Sequence, residues 1–111
     1  MKSLFYVSMS LRYAGVIVIH PYTRAAHLHC IYSSKQAALQ NAIWLFKQDI
    51  ERSSLRDKIV PQLYVGDNDE IESELKRLRF QVTRAADNFP KSRFMPNIYS
   101  VVTHSELNEL A

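Results

Sequence analysis

Leu39, Ala42, Ile43, Phe46 and Ile50 recur at spacings of three, one, three and four, and at 100° per residue they fall on one narrow side of a helix. The spacing predicts a helix over 34–53. Such a stripe is stable only when another layer covers it. Burying each of its large side chains contributes about 1.5–3 kcal/mol before conformational entropy is charged. Ser33 and Gln36 have capping-box spacing, in which the serine accepts from the third helical amide and the glutamine reaches back, so the helix is expected to begin there.

The segments available to cover the stripe read mainly as strands. Residues 4–9 and 15–19 are rich in β-branched, aromatic and aliphatic side chains, and Val16, Ile17, Val18 and Ile19 are apolar without interruption. That is the signature of a central strand covered on both faces. Pro21, Tyr22, Thr23 and Arg24 form a turn, and 26–32 completes a hairpin. A further strand is expected over 59–65, at a sheet edge because Pro61 cannot donate to a ladder.

Asp67 caps a second helix with Glu70 at its third position. Ile71, Leu75 and Leu78 form the buried side, and Lys76, Arg77 and Arg79 fall in the last turn. Phe80, Val82 and Arg84 then alternate as in a strand. Residues 85–97, with Pro90 and Pro96, read as an irregular loop, 98–103 as a last strand, and 105–110 as a terminal helical turn. The expectation is a single α+β domain over residues 1–111, a mostly antiparallel sheet with two helices packed on one face.

A chain of 111 residues builds a core without disulfides or a structural metal, and its lone cysteine, Cys30, forms no internal disulfide. Cys30 is expected to be a small buried hydrophobe. No apolar run reaches membrane-spanning length, so a soluble, cytoplasmic protein without membrane contact is expected. Residues 1–65 carry eight Lys and Arg against three Asp and Glu, whereas 66–111 carry six against eight. The N-terminal half is therefore the basic one and the candidate for an acidic partner or a phosphate backbone.

Three of the four histidines lie in the predicted hairpin. If His20 pairs with Ala25, then Val18 opposes His27 and Val16 opposes His29, and His20, His27 and His29 share one face. The His-x-His spacing on one strand, with a third imidazole across the hairpin, is a pattern that binds zinc and activates water in a hydrolase or nuclease. The plainer reading is a half-exposed polar face, because no acidic residue is near in sequence to orient the rings. No cofactor is expected.

Other routes to catalysis are thinner still. His104, Ser105 and Glu106 are adjacent in sequence, which is not triad geometry. Gly15 and Gly66 stand alone, so no glycine-rich phosphate loop is present. Asp67, Asp69, Glu70, Glu72 and Glu74 are explained by their place in the first turns of a helix and do not follow a calcium-loop pattern.

Two features suit binding. Trp44 lies about 140° around the helix from the Leu39 end of the stripe, among Gln40, Asn41, Gln48 and Glu51, and so projects from the polar side. A tryptophan so placed is an anchor for a protein partner or for a homodimer, unless the 85–97 segment folds over it. Phe89, Lys91, Arg93, Phe94 and Met95 interleave basic and apolar side chains in a loop that suits a protein groove or a single-stranded nucleic acid. The sequence therefore points to a non-catalytic binding protein, a small inhibitor or regulator of the sort mobile genetic elements often encode, that occludes a protein partner's surface. The alternatives are an RNA- or DNA-binding module using the basic half and the 89–96 loop, and a histidine-dependent metal enzyme.

Overall fold

The computed structural model describes residues 12–91 and 94–103. The predicted strand over 4–9, the terminal turn over 105–110, Arg93, and the His104, Ser105 and Glu106 string lie outside them. The described chain runs β1 (Ala14–Ile19), β2 (Ala26–Tyr32), α1 (Lys35–Glu51), α2 (Asn68–Asn88) and β3 (Ile98–Val102). The strands form an antiparallel sheet in the order β2-β1-β3, with α1 packed on β3 and β1 and α2 packed on α1 and β3. This is the expected α+β architecture.

β1 is central, as its unbroken apolar run requires. Its pairing with β2 shifts register once: Val18 faces His27 and Ile17 faces Leu28, but Val16 faces Cys30. His29 is the extra residue of a β-bulge, so the expected pairing of Val16 with His29 is corrected. Among the described strands β2 is at the edge, where the bulge interrupts the row of backbone groups that could template pairing with another chain. It also brings Cys30 opposite Val16, on the side that carries His27. Cys30 is exposed there, contrary to the expected buried hydrophobe.

α1 starts one residue later than the capping-box spacing predicted. Ser34 is the N-cap, and its hydroxyl accepts from the Ala37 amide at 3.1 Å. Leu39, Ala42, Ile43, Phe46 and Ile50 are all buried, and they meet Val16 and Val18 of β1, Ile98 and Tyr99 of β3, and Ile71, Leu75 and Leu78 of α2 in one core.

α2 has the predicted capping box, with Asp67 accepting from the Glu70 amide and Glu70 from the Asp67 amide. It does not stop near Arg79. The buried series Ile71, Leu75, Leu78, Val82, Ala86 keeps helical spacing to Asn88, so the strand expected over Phe80–Arg84 is helix. The irregular loop is correspondingly shorter than 85–97.

No strand forms over 59–65. Its backbone finds side-chain partners in place of a ladder: Glu74 accepts from the Gln62 amide at 2.6 Å, and Arg77 donates to the Val60 carbonyl at 3.0 Å. Leu55 and Ile59 are buried from this connection and close the bottom of the core. No helix of the described residues is long and apolar enough to cross a membrane.

Candidate functional site

The β1–β2 turn is built around His20. Its amide donates to the Ala25 carbonyl at 2.9 Å and its carbonyl accepts from Arg24, which takes a left-handed φ of 64°. The His20 Nδ1 accepts from the Tyr22 and Thr23 amides, both at 3.2 Å. This is the role an Asp or Asn side chain takes in an Asx-turn, and it commits one ring nitrogen to structure. Arg24 donates to the Pro21 carbonyl and pairs with Asp87 at 3.3 Å, and the Tyr22 hydroxyl donates to the Pro90 carbonyl at 3.0 Å. The turn is thus fastened to the end of α2 and to the segment after it.

Two shallow depressions flank this turn. His20, His27 and His29 line one with Asn97 and Tyr99; His20, Tyr22, Lys91, Phe94 and Met95 line the other, again with Asn97. The fold therefore brings the three hairpin histidines beside the 89–96 loop, a juxtaposition that sequence distance hides. The histidines share a face but do not converge as ligands. His29 turns its ring edge-on to Tyr99 at 6.4 Å, and among the described residues no group of three or more His, Cys, Asp or Glu is placed to hold a metal ion.

The loop residues divide between surface and core. Phe94 is 65% exposed and Lys91 is exposed, so both are available for contact. Met95 is buried, and Phe89 is half-buried against the core with Lys58 Nζ 4.5 Å over its ring. Phe94 is fastened by Ser54, whose amide and hydroxyl both donate to its carbonyl, at 3.0 and 2.6 Å.

Trp44 is 52% exposed in the middle of α1. Lys47 links it to Tyr64: its Nζ lies 5.5 Å from the Trp44 ring centre and 4.3 Å from that of Tyr64, while pairing with Glu51 at 3.7 Å. Gln40 donates to the Gly66 carbonyl at 3.4 Å, which holds the 64–66 segment alongside the helix. Two exposed aromatic rings and Val65 thus form one outward patch.

Asp67, Glu70, Glu72 and Glu74, at and after the start of α2, have structural partners. Asp67 and Glu70 make the cap, Glu72 pairs with Lys35 at 3.2 Å, and Glu74 is buried against Arg77. Burial on its own would raise the Glu74 pKa. Hydrogen bonds from the Arg77 guanidinium and the Gln62 amide, the Arg77 charge, and a bond from the Leu63 amide together outweigh burial and hold it below the usual carboxylate value.

Pairing also redistributes the charge. Arg24 and Lys35 of the basic half are matched by Asp87 and Glu72 of the acidic half, and Lys47 and Arg56 by the local Glu51 and Asp57. Lys76, Arg79 and Arg84 pair with no carboxylate among the described residues, and all three are exposed on α2 around Phe80. The strand reading of 80–84 hid this surface. Continuing the Leu75, Leu78, Val82, Ala86 spacing would have revealed it. The chain matches no family model, no curated protein and no solved structure.

Proposed function

We propose that this chain is a non-catalytic binding protein, a small inhibitor or regulator that acts by covering the surface of a protein partner, with the outer face of α1 as its contact. The observation that carries this reading is the exposed Trp44 ring, with Lys47 Nζ placed over it and over the ring of Tyr64. Aromatic side chains of this kind dominate association energies. Covering the exposed half of the Trp44 ring, on the order of 100 Å², is worth about 2–3 kcal/mol. Neighbours that already restrain the rings lower the ordering cost of binding.

The test is a side-by-side capture from the native host with the tagged protein and its Trp44→Ala variant. The reading expects a protein retained by the first and lost by the second, with unchanged unfolding midpoints. A partner held equally by both, or a variant destabilised by several kcal/mol, would overturn it. Sedimentation of the purified protein separates a homodimer through the same face from a foreign partner.

A further inference from the structure

We propose that the outer face of α2 is a second binding site, one that takes single-stranded nucleic acid by stacking an unpaired base on Phe80 and holding its phosphates with Lys76, Arg79 and Arg84. This site is distinct from the Trp44 surface and does not depend on it.

At 100° per residue, positions 76, 80, 83 and 84 lie on the side away from the buried series from Ile71 to Ala86, and Arg79 sits at the border between the two. Together with Asp87 they line an open depression of about 410 Å³. Phe80 is 54% exposed, and the Arg84 guanidinium carbon lies 6.0 Å from its ring centre. The half of the ring that faces water makes no contact with the core, which lies on the opposite side of the helix. It gains most from a flat apolar partner.

The charge around the ring specifies that partner further. The neighbouring Arg77 is neutralised by Glu74, with contacts at 2.7 and 2.8 Å, and Asp87 by Arg24. Among the described residues, Lys76, Arg79 and Arg84 meet no carboxylate over about 12 Å of helix. Unpaired cations flanking an exposed aromatic ring are what a single strand recognises, because it offers base faces and phosphates together. A duplex hides its base faces, and an acidic peptide supplies charge without a planar surface.

The experiment is fluorescence anisotropy of labelled oligo(dT) and oligo(U) twelve-mers with the full chain at 50 to 200 mM salt. Three phosphate contacts predict a log–log salt slope near −2 for single strands. Arg79→Gln is expected to reduce the slope by about 0.7, and Phe80→Ala to weaken binding roughly tenfold while leaving the slope in place. All four residues are exposed, so circular dichroism should show each variant folded. Trp44→Ala should bind the oligomers as the unmodified protein does, which separates this proposal from the one above. Absence of oligonucleotide binding, binding unaffected by Phe80→Ala, or equally tight binding of poly-glutamate would overturn it.

Discussion

Tyr99 of β3 donates a 2.8 Å hydrogen bond to Asp49 Oδ2 of α1, joining residues fifty positions apart. The same ring packs on Phe46 at 5.7 Å and meets His29 at 6.4 Å. One side chain therefore connects the buried stripe of α1 to the histidine-lined depression, and ties the helix to the sheet through a polar bond at the margin of the core.

Burial, then the hydrogen bond to Asp49 and its charge, raise the Tyr99 hydroxyl well above its ordinary pKa; Asn97 and Arg52 oppose this. An unfolded tyrosine ionises near pH 10, whereas the folded one keeps its proton. The stabilising contribution is thus complete below about pH 10 and is lost as pH rises beyond it. Tyr99→Phe should cost about 1–2 kcal/mol at neutral pH. Urea unfolding from pH 8 to 11 should show a shallower alkaline decline in that variant than in the unmodified protein.

Glu74 has the opposite sign. Its folded pKa is lowered, so its contribution is present above the ordinary carboxylate pKa and is lost as pH falls through the folded value. Glu74→Gln should destabilise by about 1–3 kcal/mol at pH 7 by removing the partner of Arg77 and an acceptor for the Gln62 amide. Its unfolding midpoint should also vary less between pH 6 and 3.

The helical state of 80–84 is testable by contrast. Gln81→Pro, in the exposed interior of α2, should cost about 3 kcal/mol or more, because it removes a helical hydrogen bond and introduces a clash. Phe80→Ala, at an exposed position, should change stability by no more than about 0.5 kcal/mol. Phe46→Ala in the core should cost about 3–5 kcal/mol. Thermal unfolding of the three variants should rank them accordingly.

His20→Ala should destabilise the hairpin by about 1 kcal/mol, since two turn amides lose their shared acceptor. His20→Asn should recover most of that loss, because its side-chain oxygen reaches the same amides. Equal destabilisation by both variants would show that the imidazole acts elsewhere.

Local periodicity made much of the fold legible. Leu39 to Ile50 specified α1, the unbroken Val16 to Ile19 run specified a central strand, and Asp67 with Glu70 specified the start of α2. These signals are legible because each depends on residues within one or two turns, or within one strand. The reading lapsed at Phe80–Arg84, where alternation over five residues imitated a strand although Val82 and Ala86 continued the helical stripe. It lapsed again at 59–65, where apolar composition suggested pairing but the backbone is satisfied by Glu74 and Arg77.

The surfaces follow a different rule. The sequence by itself determined the first helix, the start of the second, the hairpin, and the placement of Trp44 on the polar side of its helix, because helical and strand periods decide which side of an element faces the core. Only the tertiary structure decided that a bulge at His29 would bring Cys30 onto the His27 side, and that the histidines would border the Phe94 loop. It also decided which cations are compensated: Asp87 and Glu72 neutralise Arg24 and Lys35 from across the fold, whereas Lys76, Arg79 and Arg84 of α2 meet no carboxylate among the described residues. Net charge sums along the chain, whereas a local field depends on distances in space.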